Sequence, residues 1–372
     1  MQIEPFGVEL WMNDYEDTCE FNLAETCVAS LTVAELFDLA GLPASTLDDI
    51  LTMKLTYGAI QGSDRLRSAI AALYDDISPE NTVVTHGAIG ANKLVHETMV
   101  EPNDRVISVK PTYQQHYSIP ESYGADVAIL SLRPENAYLP DLDELHDLAT
   151  PQTTLIALNN PNNPSGSLMD RSMLEAIATI ADSVGAYVLC DEVYRGTDQN
   201  GTGTSPSIAD VYHRGISTGS MSKAFSLAGL RLGWIAGPTD VMNQVALQRD
   251  YSTISVGMIN DYLATIALEH ADKVLERSRS ITRTNLAILE PWVANEPLVS
   301  WVKPQAGTTA LLQLDIDMSS RDFCLRLLDE TGVMFLPGSA LGVEGTVRIG
   351  YANNTEILRA GLDHVSTFLR NL

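Results

Sequence analysis

From residue 82 onward, short apolar runs alternate with longer stretches whose apolar positions recur every three or four residues. That alternation of strand and helix patterns predicts a doubly wound α/β domain. The runs predict strands at 82–85, 105–109, 126–130, 154–158, 186–190, 215–218 and 231–236. Helical spacing predicts helices at 88–100, 113–123, 172–184 and 241–250 between them. A long apolar-periodic segment at 256–292 reads as one helix joining two domains. Beyond it, strands near 309–314, 333–336 and 347–349 with helices at 320–330 and 354–369 make a small α+β domain. Ahead of the alternation, Ser63 is a good N-cap for a helix carrying Leu66, Ile70 and Leu73, and Tyr57 stands in the loop before it. Residues 1–40 have weak periodicity apart from a predicted helix at 32–39. The expected division is an N-terminal segment (1–45) lying over a cleft mouth or packed on the small domain, a large domain (46–280) and a small domain (281–372).

Composition narrows the class. With 45% hydrophobic and 19% charged residues in 372, the chain reads as a globular protein of two domains. No window approaches the ~20 apolar residues of a membrane span. The N-terminal stretch lacks the basic start and apolar core of a secretion signal, so a cytoplasmic protein is expected. A net charge of −25, from 48 acidic and 23 basic residues dispersed along the chain, disfavours nucleic acid and anionic membranes as partners. Cys19, Cys27, Cys190 and Cys324 form no C-x-x-C pair, which fits a reduced compartment and predicts no metal site.

Chemistry concentrates in STGSMSKAFSLAGLRLGW, residues 217–234. Lys223 is flanked by Ala224, Phe225 and Leu227, and burial is expected to lower its pKa toward the neutral amine that attacks an aldehyde. Ser220, Ser222 and Arg231 supply the donors that hold a phosphate dianion. An amine nucleophile beside a phosphate cradle suggests pyridoxal 5'-phosphate (PLP), held by Lys223 as a Schiff base. THGAIGANKL opens a helix after a strand, and the amides of Gly87, Ala88 and Ile89 form an anion site there. Tyr113, in KPTYQQHY, is either a core tyrosine or an aromatic laid over a flat ring. LNNPNNPSG holds the Asn163 amide in a restricted backbone. VLCDEVYRG ends a strand with Asp191 and Glu192, which are either a helix-capping pair or a carboxylate placed where α/β sheets bind ligands. Arg348, in TVRIGYAN, is an exposed strand residue or a carboxylate fork.

S-x-S-K-x-F-x-x-x-G-L-R-x-G-W, with these other motifs in order from about residue 51 to 351, resembles the class I/II aminotransferases, fold-type-I PLP enzymes. The resemblance implies that Lys223 is the cofactor lysine, that Asp191 pairs with the pyridine nitrogen, and that Tyr113 stacks on the ring as part of the catalytic set. It implies that Asn163 and Tyr194 donate to the cofactor's phenolic oxygen. Arg348 would take the substrate α-carboxylate, and Tyr57 would reach the phosphate of a neighbouring subunit's cofactor in a homodimer. The first forty residues depart from the family: FNLAETCVAS stands where a Gly-Glu-Pro turn is usual. PTYQQHY and GTTALLQL are similar to capreomycidine-synthase-like members.

The implied activity is amino transfer between a free α-amino acid and a 2-keto acid. C–S lyase, decarboxylase and ring-forming chemistry use the same apparatus and stay open. A PLP-binding regulatory protein is disfavoured, because the chain has no room or basic segment for a DNA-binding domain. Arg348, Asn163 and Glu25 form the expected substrate side. Arg249 is the one spare cation that a second carboxylate would need, whereas Glu25 in the N-terminal segment favours a basic or polar side chain.

Overall fold

The computed structural model describes residues 2–372. The chain starts with a helix the periodicity did not show, α1 (Gly7–Tyr15), which buries Val8 and Trp11. A short strand follows, β1 (Phe21–Asn22). The predicted helix at 32–39 forms at Val33–Ala40 under a full capping box between Thr32 and Glu35. Ser63 caps Asp64–Ala71 by accepting from the Leu66 N–H.

Seven strands then form one twisted sheet: β2 (Thr82–Thr85), β3 (Arg105–Lys110), β4 (Asp126–Ser131), β5 (Thr153–Asn159), β6 (Tyr187–Asp191), β7 (Gly215–Ser220) and β8 (Gly233–Ala236). Their order is β2-β8-β7-β6-β5-β3-β4. Only β8 runs antiparallel to its neighbours. In register, Asn159 faces Asp191 and Asp191 faces Thr218, so the carboxyl ends of β5, β6 and β7 stand side by side. Ligands of open α/β sheets bind at such ends. Helices on both faces bury the near-continuous apolar strands, as parallel sheets require.

The C-terminal part holds a four-stranded antiparallel sheet built from β9 (Val299–Trp301), β10 (Thr309–Leu314), β12 (Leu336–Pro337) and β13 (Thr346–Gly350). β11 (Val333–Met334) instead pairs in parallel with β1. The single strand expected at 333–336 is thus two short strands in different sheets. The helix expected over 256–292 is also two, Met258–Glu269 and Ala271–Asn295. His270 leaves the helical conformation between them (ψ 32°) and its Nδ1 lies 2.9 Å from the Ile266 carbonyl. No proline or glycine marks that break, which is why periodicity runs through it. Among the described residues no helix is long and apolar enough to cross a membrane.

Val8, Trp11, Leu23 and Ala24 share one apolar core with Leu286, Phe323, Tyr351 and Leu362 of the C-terminal part. Trp11 is the pin of α1: its side chain is 2% exposed and its indole N–H donates to the Phe335 carbonyl at 2.9 Å. Trp11→Phe should cost about 1 kcal/mol through that bond, and Trp11→Ala about 3–5 kcal/mol through the cavity as well. Urea denaturation of both variants checks the ordering; equal losses would show that the hydrogen bond carries the whole effect.

Candidate active site

The residues singled out by sequence converge on one cleft of about 280 Å³. Strand ends supply Asn159, Asp191 and Ser220, and the loops after them supply Asn163, Tyr194, Ser222 and Lys223. Helix Gly87–Met99 enters with Ala88, Ile89 and Asn92, and the C-terminal sheet reaches in with Arg348. α1 and the stretch after β1 close the near wall with Val8, Glu9, Met12, Glu16, Glu25, Thr26 and Cys27.

Asp191 is buried at the end of β6. Its Oδ2 accepts from the Asn92 amide at 2.7 Å, and its Oδ1 accepts from the Val193 N–H at 3.2 Å. Asn92 is itself fixed by the Thr218 hydroxyl, which donates to its Oδ1 at 2.7 Å. His116 Nε2 lies 3.7 Å from Asp191 Oδ2. Asp191 and Glu192 cap no helix together. Glu192 turns the other way and accepts from Ser207, Ser217 and the Ile208 N–H.

The Lys223 ammonium donates to Thr26 Oγ1 at 2.5 Å and lies 3.5 Å from Cys27 Sγ. The expected lowering of its pKa is not what the surroundings produce. Burial pulls the value down, but Cys27, Tyr194 and Glu25 together raise it above the usual lysine range. Desolvation alone was a poor guide because the neighbours that matter arrive from the N-terminal stretch. Burial pushes the Tyr194 phenol up, while Lys223 and Arg348 pull it down.

Ser222, Arg231 and the start of helix Gly87–Met99 lie together. Arg231 is not in β8: it has φ 48° in the turn after Ala228–Leu230, which aims its Nη1 at Ser222 Oγ (3.4 Å) and the Ala228 carbonyl (3.0 Å). The first turn of helix Gly87–Met99 has no side-chain cap. Gly87 has φ +68°, and a Cβ there would lie 3.1 Å from Arg231 Nη2, so the cradle requires a residue without one. Gly87 itself is behind the cleft lining, whereas Ala88 and Ile89 are on it.

Tyr113 precedes its helix, which begins at Gln115, so it is free to line the cleft. Its hydroxyl donates to Glu9 Oε1 at 2.8 Å. Arg348 is 2% exposed; its Nη1 donates to Asn163 Oδ1 and its Nη2 to the Ala24 carbonyl, and its Nε has no partner. Arg348 thus lines the cleft with a guanidinium whose Nε is buried and unpaired among the described residues. Tyr57 does not line this cleft and is 71% exposed on another face. Arg249 is buried elsewhere, donating to the Val84 carbonyl.

The aminotransferase class I and II family profile matches residues 51–364. The chain belongs to that family. It is 30% identical to capreomycidine synthase of Streptomyces vinaceus over 96% of its own length and 92% of that protein's. It is 30% identical to arginine–pyruvate transaminase of Pseudomonas aeruginosa over 86% and 84%. Its fold matches the crystal structure of a PLP-dependent aminotransferase from Streptococcus suis with a TM-score of 0.97 and 43% identity, over 100% and 99% of the two chains. The fold is therefore fold type I, and the family implies PLP as cofactor.

The donor set fits that cofactor: a lysine amine, a buried carboxylate held by an amide, and an uncapped helix start beside an arginine share one cavity. Sequence reading missed Asn92, Glu9, Glu16, Thr26 and Cys27. Asn92 was within reach, since it falls about one turn after the Gly87–Ile89 amides. The others depended on where an irregular N-terminal segment settles.

Glu25 gives a pH test. Its carboxylate accepts from the Thr26 and Cys27 N–H groups at 2.6 and 2.7 Å. Burial is the largest influence and raises its pKa, but Lys223 and those bonds outweigh it, leaving the value below the ordinary 4.5. The unfolded chain therefore takes up this proton first as pH falls, so the stabilisation is present above 4.5 and is lost as pH drops through the lowered folded value. The stability gap between wild type and Glu25→Gln should shrink between neutral pH and about pH 3.5. Denaturant titrations at both pH values check it, and a constant gap would contradict it.

Proposed function

We propose that this chain is a PLP-dependent aminotransferase moving the amino group between a free α-amino acid and a 2-keto acid. The observation that carries it is the meeting of Lys223, Asp191 and Arg348, an amine, a carboxylate and an unsatisfied guanidinium, in one cleft. When bound, the cofactor supplies an aldehyde carbon and a ring that draws charge from the substrate's α-carbon. The amides of Gly87, Ala88 and Ile89, with Ser220, Ser222 and Arg231, hold its phosphate. Asp191 would hold the ring nitrogen, Tyr113 would contact the ring, and Asn163 and Tyr194 would serve the phenolic oxygen. Lys223 would bond the cofactor and, when free of it, its Nζ would carry a proton to and from the substrate α-carbon as general acid and base. Arg348 fixes the α-carboxylate and so sets which bond faces that amine.

The proposal keeps the large part (46–280) as cofactor domain and the small part (281–372), with the N-terminal segment (1–45), as the wall that carries Arg348. Separate apolar cores support that division as far as Ala24, whereas Leu36, Phe37 and Ala40 of the N-terminal segment pack in the core of the large part. It also includes a homodimer in which Tyr57 serves the neighbouring site, supported by the exposure of the apolar residues Leu51, Leu55, Tyr57, Leu247 and Tyr251. A reducing cytoplasmic setting is supported by four free cysteines.

Ring formation is the second reading. The likeness to capreomycidine synthase takes in 96% of the chain, more than the 86% matched by the arginine transaminase. Screening amino donors against keto-acid acceptors with product identification separates the two.

Lys223→Ala should abolish borohydride-trapped cofactor and nearly all turnover in a folded protein. A trapped peptide containing another lysine would overturn the assignment. Among the described residues the cleft's cations are Lys223, Arg231 and Arg348, each already assigned, so nothing is left for a second carboxylate. Aspartate and glutamate should therefore react more slowly than phenylalanine or arginine in single half-reactions followed by cofactor absorbance. Aspartate reacting fastest would refute this.

A further inference from the structure

α1 brings to the cleft two carboxylates that amino transfer does not use. Glu9 lies on α1 and Glu16 at its C-cap, about two turns apart, and both line the cleft, with Val8 beside Glu9 and Met12 between the two carboxylates in sequence. Among the described residues neither forms an ion pair, and Glu9 accepts one hydrogen bond, from Tyr113. Glu25 is close by but spends one carboxylate oxygen on its own loop. The carboxylates feel one another: burial first, then Glu25, Asp17 and Glu9, raise the Glu16 pKa, with Lys223 acting the other way. Like charges converging on a cleft wall repel until a cation lies between them.

Arg348 supplies the independent observation at the other end. Its side chain lines the same cleft, its Nε is buried and unpartnered among the described residues, and the aminotransferase reading gives this guanidinium to a ligand carboxylate. Glu9 and Glu25 are near enough to act on this guanidinium electrostatically, so anion anchor and acidic wall belong to one ligand space.

We propose that Glu9 and Glu16 form a subsite for a distal cation, so that the substrate is an α-amino acid whose side chain ends in a guanidinium or a primary ammonium. This rests on the aminotransferase reading for the α-amino end and adds the far end. A neutral side chain leaves the two carboxylates unpaired, and an anionic one is repelled, so the wall selects by both attraction and exclusion.

The test uses ligands without an α-amino group, whose binding is independent of any reaction. Calorimetry on the PLP-loaded protein compares δ-guanidinovalerate, ε-aminocaproate, caproate and adipate. At least one of the two cationic acids should bind about tenfold or more tightly than caproate, with adipate weakest. Comparing the two cations tells guanidinium from ammonium. In Glu9→Gln/Glu16→Gln the advantage should fall to about twofold or less. Glu16 is exposed, so Glu16→Gln alone tests the subsite without risk to the fold. Caproate binding as tightly as both cations, or an advantage that survives the double substitution, would overturn the proposal. Selective cation binding with no amino-acid turnover would uphold the subsite and refute the transaminase reading; turnover with no cation advantage would do the reverse.

Discussion

The cleft depends on one irregular stretch, residues 23–31, that is bonded to both halves of the molecule. On one side Leu23 donates to the Met334 carbonyl and accepts from the Gly350 N–H, and Ala29 donates to the Ala352 carbonyl. On the other, Leu31 donates to the Ser226 carbonyl, three residues past Lys223. Between these ties Thr26 receives the Lys223 ammonium on its hydroxyl and the Thr308 hydroxyl on its carbonyl. The stretch passes so close to β13 that a side chain at Gly350 would overlap the Glu25 carbonyl. A strand or helix would satisfy its own backbone; this stretch has to spend its backbone groups on both halves. That is how a segment without regular structure fixes the distance between a lysine on the large sheet and an arginine on the small one.

Legibility in the sequence followed the same division. The seven strands of the large sheet are readable because each is a short apolar run and several have a distinct helix pattern after them, and their ends fall within one or two residues of the expected places. Most motif residues lie at those ends or in the turns just after them, so locating strands located Asp191, Asn163 and Lys223 together. What escaped was set by tertiary contact. α1 is a short helix whose buried residues, Val8 and Trp11, gain their environment from Phe335 and the C-terminal core far along the chain. Arg231 was placed in a strand because its neighbours are apolar, yet the preceding turn takes it into left-handed backbone, where its guanidinium can turn back toward Ser222. The break at His270 carries no composition signal at all.

Charge in the cleft is arranged by chain segment. Each cation comes from a part with regular structure around it: Lys223 and Arg231 follow β7, and Arg348 lies in β13. The carboxylates Glu9, Glu16 and Glu25 all come from the first twenty-five residues. The cations thus sit on or just after the strands of the two sheets, where precise placement costs least. The acidic side of the cleft belongs to a segment held by a few anchors.

This separation has a physical consequence for how specificity is set. The bonds that fix Asp191 run from Thr218 through Asn92, wholly within the large sheet and its first helix. None of them passes through residues 1–25. The N-terminal segment, by contrast, touches the cleft residues directly, through Tyr113 to Glu9, Arg348 to the Ala24 carbonyl, and Lys223 to Thr26 and Cys27. A substitution on α1 therefore changes the field at that wall of the cleft while Asp191 keeps its partners. FNLAETCVAS is different: it carries the Ala24 carbonyl that accepts from Arg348 and the Thr26 hydroxyl that accepts from Lys223, so its course bears on both of those cations.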